Sequence, residues 1–250
     1  MNNPNKESQL NNVSLIKRAA SEAIGTAYLL VAVVGSGIMG ERLSGGSVGL
    51  ALMANTLATG AALVALILAF GPISGAHLNP AVTLADASQG GLLWREVPAY
   101  IAAQLVGAFA GVGAANIMFG QPLFFASQHI RAGSAQLFSE FIATFGLLSV
   151  IWGCVRFRAG VVPFAVGAYI TAAYWFTAST SFANPAVTLA RSASNTFAGL
   201  RPPDVLPFMA AQLVGGFAAT VLFRWLLAGS NVGEPGAAEF DHAAIGSSPR

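Results

Sequence analysis

Charge is scarce in this chain. Of its 250 residues, 9% are Asp, Glu, Lys or Arg, against roughly 25% in an ordinary soluble domain. The few charges are also clustered, because none falls in 23–40, 43–85, 97–130, 141–155, 159–190 or 205–223. All but the fourth of these runs approach or exceed the ~20 residues of a spanning helix. Cysteine occurs once, so Cys154 has no internal disulfide partner; in an apolar run it reads as a small buried hydrophobe. These shortages exclude a disulfide scaffold and a cytosolic enzyme. The 55% apolar content excludes a disordered chain. A pI near 9.0 does not indicate a nucleic-acid partner. The net charge is only +2, and the basic residues are scattered rather than gathered into a stripe.

What is present is apolar length. A mean hydropathy of +0.65 and the spacing of charge, Gly and Pro predict six membrane-spanning helices at about 19–39, 48–70, 97–119, 137–155, 161–180 and 205–228. Two further apolar stretches, 77–88 and 182–194, are too short to cross, since ~12 residues rise through about half the hydrocarbon layer. They read as half-helices. The polar stretch 1–12 and the absence of a small-residue cleavage site after the first apolar run predict an uncleaved first helix. Lys6, Lys17, Arg18, Arg95, Arg156, Arg158, Arg224 and Arg250 fall on the N-terminal side of the membrane, with Arg42, Arg131, Arg191 and Arg201 opposite. That excess predicts both termini in the cytoplasm.

Internal repeats set the architecture. His77–Leu84 recurs as Phe182–Leu189, with the six residues Asn-Pro-Ala-Val-Thr-Leu identical. Ala102–Phe109 recurs as Ala210–Phe217, and Ser21–Thr26 as Ser139–Thr144, in the same order. Two homologous halves of three spanning helices each must enter from opposite sides, because three is odd, and so have inverted topology. Asn is a preferred N-cap and Pro a preferred first helical residue. Asn79-Pro80-Ala81 and Asn184-Pro185-Ala186 therefore each mark a helix start near the midplane. Their positive dipole ends face each other and repel cations and protons. The Asn79 and Asn184 amides can donate to the oxygen of a neutral solute there.

These boxes, the Ser-Glu pair near the start of each half and the Gln-Leu-Val-Gly segments resemble those of the major intrinsic protein family, the aquaporins and aquaglyceroporins. The resemblance covers about residues 17–228. It implies an all-α membrane protein with six transmembrane helices and two re-entrant half-helices, right-handed, with one pore per subunit and a homotetrameric assembly in the lipid bilayer. On this reading 1–16 is a cytoplasmic tail, 17–228 the channel domain with halves at about 17–120 and 135–228, and 229–250 a cytoplasmic tail. The resemblance, to a bacterial branch, also implies a bacterial inner membrane.

Glu22 and Glu140 are the only carboxylates within the predicted spanning helices, and an intramembrane acid is a functional candidate by default. The resemblance implies a supporting role for both, accepting hydrogen bonds from the re-entrant loops; direct contact with solute is the alternative. His77 matches a histidine common in the family's first loop, as a pore-lining or a packing residue. Gly60, Gly107, Gly167 and Gly215 are expected at close helix crossings.

The chain also departs from the family. Most members place Arg directly after the second box, in the tightest constriction, where this chain has Val187. Arg191, one turn further on, is the candidate substitute for it, though a place that far along the half-helix is expected to lie off the pore. The other filter positions fall on Thr59, Ser181 and either Tyr174, by alignment through Gly167, or Ala172, by counting from Asn184. Such a filter has no built-in cation and resembles that of an unusual bacterial branch, some of whose members are associated with arsenic resistance. The Asp that usually follows in glycerol conductors is also missing. The expected activity is passive passage of water, glycerol-like polyols or undissociated metalloid acids such as arsenous acid. A water-selective aquaporin and an inverted-repeat secondary transporter are the alternatives. His129 and His242 offer no metal-ligand or nucleophile–base pattern, so no enzyme, metal or cofactor is expected.

Overall fold

The computed structural model describes residues 13–228. The first twelve residues of the predicted tail 1–16 and the whole of 229–250, with Lys6, His242 and Arg250, lie outside the described residues. In chain order the α-helices are α1 (Leu15–Leu43), α2 (Val48–Ser74), α3 (Pro80–Ser88), α4 (Val97–Met118), α5 (Ser134–Phe157), α6 (Val162–Phe176), α7 (Pro185–Arg191) and α8 (Val205–Leu226). Six of them, three counted with a leading 3₁₀ turn, are long and apolar enough to cross a membrane. The other two, α3 and α7, are the expected half-helices.

The helix ends differ from the apolar runs for local reasons. α1 begins at Leu15, inside the stretch expected as a tail, and takes in Lys17 and Arg18. Arg18 is held by two hydrogen bonds to Glu96, at 2.9 and 2.7 Å. α6 stops at Phe176 rather than continuing to 180, because Thr177 turns extended at φ −111°, ψ 137°. Residues 177–184 then form the loop that leads back into the bundle. At the end of α2 the chain turns through Gly75 at φ 89°, a left-handed position that favours glycine.

Packing repeats with the sequence. α1 packs on α2 and α4, and α5 packs in the same way on α6 and α8. α2 crosses α6 at the junction of the halves, and α3 and α7 meet each other in the middle. Small residues make these crossings possible. A Cβ on Gly107 would overlap the carbonyl of Ala23, and one on Gly215 that of Phe141. Gly60 and Gly167 face each other, so that a Cβ on Gly60 would approach the Gly167 oxygen to 3.0 Å. The outward faces are apolar as well: Leu57, Val106, Val214 and Phe217 are all exposed, as a lipid-facing belt requires.

Filling the α5–α8 crossing should therefore loosen the second half. Gly215→Val is expected to cost about 1–3 kcal/mol, the usual range for overpacking, and to lower the thermal unfolding midpoint in detergent. Gly49→Ala, where a Cβ meets nothing within 4 Å, should not lower it. Equal midpoints for Gly215→Val and the unaltered protein would contradict the close crossing.

Candidate functional site

Each half-helix begins as the sequence predicts. Asn79 is extended at φ −159°, ψ 119°, and its side chain accepts a hydrogen bond from Ala81 N–H at 2.9 Å. Asn184 does the same for Ala186 and Val187 N–H at 3.0 and 3.2 Å. Pro80 and Pro185 occupy the first helical positions, where a missing N–H costs nothing.

The loops leading into these caps hold backbone in unusual conformations. Ala76 and Leu78 in the first loop, and Ser181 and Ala183 at the matching places in the second, have φ between 46° and 51°. A non-glycine residue there costs of order 1–3 kcal/mol and persists only where its surroundings hold it. Two buried glutamates do so. Glu22 accepts hydrogen bonds from His77 N–H and Leu78 N–H at 2.9 and 2.6 Å. Glu140 accepts from Phe182 N–H and Ala183 N–H, both at 2.9 Å. Gln104 Nε2 then bridges Glu22 to Thr83 Oγ1 at 2.8 and 2.9 Å. Gln212 Nε2 bridges Glu140 to Thr188 Oγ1 at 2.5 and 2.8 Å. Thr83 and Thr188 in turn donate to the carbonyls of Asn79 and Asn184. The three repeated segments thus converge on one cluster in each half. The glutamine and threonine contacts were visible in the sequence only as unexplained identities.

The halves are tied to each other by the same asparagines. Asn79 Nδ2 donates to Ala183 O at 2.8 Å, and Asn184 Nδ2 donates to Leu78 O at 2.7 Å. An amide NH₂ has two hydrogens, so each asparagine keeps one outside these bonds.

A cavity of about 120 Å³ runs past this junction. It can hold several waters, since each needs roughly 10–15 Å³ of such space. Thr59, Tyr174, Ser181 and Val187 line it together with both asparagines, and Tyr174 Oη meets Thr59 Oγ1 at 3.3 Å. Ala172, the alternative to Tyr174, is exposed on the outer face of α6. Two residues turn a helix by about 200°, so only one of the pair can face the cavity. Arg191, the candidate substitute for the missing filter arginine, also lines the cavity. His77 lines the opposite part, with Nδ1 at 3.2 Å from Thr83 Oγ1 and Nε2 at 3.4 Å from an Asp86 oxygen. The sequence reading missed Asp86. Its signal was positional: Asp86 is the seventh residue after Asn79, as Arg191 is after Asn184. The two half-helices thus present opposite charges at equivalent places.

A family profile described as "Major intrinsic protein" matches residues 9–158. The chain is 54% identical over 213 residues to the aquaglyceroporin AqpS of Rhizobium meliloti, a match covering 85% of this chain and 91% of that protein. It is 32% identical over 231 residues to aquaporin Z of Bradyrhizobium diazoefficiens, covering 84% and 93% respectively. Among solved structures it resembles the aquaglyceroporin of Plasmodium falciparum at a TM-score of 0.66 and 26% identity, covering 86% of this chain and 96% of that one.

The cluster around Glu140 should be sensitive to which atoms remain. Glu140→Ala strands the N–H groups of Phe182 and Ala183, each at about 1–3 kcal/mol when buried unpaired. Glu140→Gln keeps one acceptor oxygen. Thermal unfolding in detergent should rank the alanine variant well below the glutamine variant, and equal midpoints would remove Glu140 as the support of that loop.

Proposed function

The chain belongs to the major intrinsic protein family, and from that premise we propose a passive channel in which small uncharged solutes pass in file between the two Asn-Pro-Ala boxes. Members of this family are channels and not enzymes. The solute set is water, glycerol-like polyols and undissociated metalloid acids such as arsenous acid. One observation carries this breadth: Val187, an apolar side chain, lines the cavity at the position directly after the second box. With no guanidinium at that position, the wall beside Val187 lacks up to five donors; the Arg191 guanidinium lies one turn further along the half-helix, stacked on the Phe182 ring. Larger or less polar neutral solutes then lose less on entry. The aquaglyceroporins among the relatives are in keeping with that reading.

In this proposal Asn79 and Asn184 donate to the passing solute, and Pro80, Ala81, Pro185 and Ala186 form the half-helix starts behind them. Thr59, Tyr174, Ser181 and Val187 form the filter, Glu22 and Glu140 support the loops, and His77 lines the opposite mouth. The protein is a homotetramer in a bacterial inner membrane, both termini cytoplasmic, so that the Asp86 mouth faces the cytoplasm and the Arg191 mouth faces outward. Water selectivity is the second reading. It is favoured by the Tyr174–Thr59 hydrogen bond, which links α6 to α2 beside the neck.

Stopped-flow light scattering on proteoliposomes separates the two. Shrinkage in an impermeant osmolyte followed by fast re-swelling in glycerol and in arsenous acid is the expected result; shrinkage without re-swelling would mean a water-selective pore. Val187→Arg should depress glycerol flux more than water flux. Equal loss of both, or no change, would argue that Val187 is not at the constriction.

A further inference from the structure

Arg191 is only 2% exposed, yet it faces a cavity. Its Nε donates to Ala198 O. The guanidinium carbon lies 3.3 Å from the centre of the Phe182 ring, so that ring covers the guanidinium. What remains is the outer edge with its two Nη groups. Among the described residues, neither Nη donates a hydrogen bond to protein and no carboxylate lies within ion-pair distance.

A second polar group stands ready on the same cavity wall. Ser181 Oγ is buried and has no hydrogen-bond partner among the described residues. The charge around it is also one-sided. Arg131, from the connection between α4 and α5, brings another guanidinium to 5.1 Å from the Phe182 ring. Its Nε donates to Gly199 O and its Nη1 to Ser179 O and Thr180 Oγ1. Burial pulls the Arg131 guanidinium below its ordinary pKa, while Glu140 and Tyr174 act the other way. Glu140 acts on both arginines through its charge but forms no ion pair with either, its oxygens accepting from Phe182, Ala183 and Gln212.

Two desolvated cations beside one ring, with no carboxylate hydrogen-bonded to either guanidinium among the described residues, are costly unless something compensates them. A neutral solute can satisfy donors but leaves the charge. A planar oxyanion satisfies both, because its paired oxygens match the edge of a guanidinium and charged hydrogen bonds are the strong ones. We infer that Arg191 and Ser181 form an anion-binding site in the neck, one that takes a small monovalent planar oxyanion and obstructs neutral flux while it is occupied. The anion is held and not conducted. Beyond the site Leu29, Leu63, Ile67 and Val166 line the wall between the few donors of Asn79 and Asn184, and Asp86 lines the part of the cavity beside His77. An anion moving on would shed its hydration for apolar wall and then meet its own sign. Obstruction rests on the channel reading, whereas binding does not.

Nitrate is a suitable probe, being planar, monovalent and unprotonated near neutral pH. Gluconate, too bulky for the neck, serves as the control at equal ionic strength and osmolarity. Two or three charged hydrogen bonds correspond to a dissociation constant on the order of 1–10 mM. Roughly 50 mM nitrate should then reduce water and glycerol flux by about sixfold at the weak end of that range and about fiftyfold at the tight end, relative to gluconate. Arg191→Gln should remove the effect, measured against its own nitrate-free rate, and Arg191→Lys should restore part of it. Ser181→Ala, a smaller change, should weaken nitrate severalfold and tests the same site if Arg191→Gln does not fold. Binding is read separately as a nitrate-dependent rise in the detergent unfolding midpoint over the gluconate control, present in the unaltered protein and absent in Arg191→Gln. Unchanged flux and unchanged midpoint in nitrate would overturn the inference, as would inhibition that persists in Arg191→Gln and Ser181→Ala. If nitrate-free proteoliposomes pass no solute while the midpoint still rises, the channel reading fails and the anion site stands.

Discussion

Backbone without a regular helix cannot be left unsatisfied at membrane depth, and the rest of this structure depends on how that is met. Glu22 and Glu140 meet it. Each sits in the first helix of its half and takes two N–H groups of a re-entrant loop onto one carboxylate. With those groups bound, the loops can keep the left-handed residues that bring the asparagines to the junction of the half-helices. A glutamine and a threonine then lock each carboxylate to the half-helix it supports. The polar line through the molecule is thus a by-product of satisfying the loops, and it lies beside a framework that is apolar almost everywhere else.

The sharing of that framework between packing and permeation explains the small residues. Gly107 against Ala23 and Gly215 against Phe141 let the first and third helix of each half approach backbone to backbone. The same approach brings Gln104 and Gln212 within reach of their glutamates. Widening either crossing would pull a hydrogen-bonded cluster apart as well as open a gap. Stability and pore geometry are in this sense coupled through the same contacts.

Much of this was legible in the sequence because it recurs there. Length, apolar runs and the duplicated Asn-Pro-Ala boxes carry the six long helices and the two half-helices. The caps at Asn79 and Asn184 follow from residue type and spacing alone. Less legible were features that depend on which way a side chain turns. Counting could not separate Tyr174 from Ala172, since a two-residue difference in loop length reverses the answer, and packing of α6 on α2 decides it. Arg191 was expected off the pore from its distance along the half-helix, but a long side chain folded onto Phe182 reaches the cavity regardless. Asp86 went unread because charge near a helix end is ordinarily solvated. Here it sits in the last turn of α3, against the negative end of the helix dipole, with His77 beside it.

The reciprocal bond between Asn79 and Ala183, and between Asn184 and Leu78, means that neither half is complete without the other. Viewed as a duplication, the chain carries its own two-row alignment. Positions that brace the copies, namely the asparagines, glutamates, glutamines and threonines, are the same residue in both rows. Cavity-lining positions away from the asparagines differ between the rows, as His77 against Phe182 and Asp86 against Arg191 do. A scaffold of this kind can acquire a directional lining, anionic at one end and cationic at the other, without disturbing the symmetry that lets it fold.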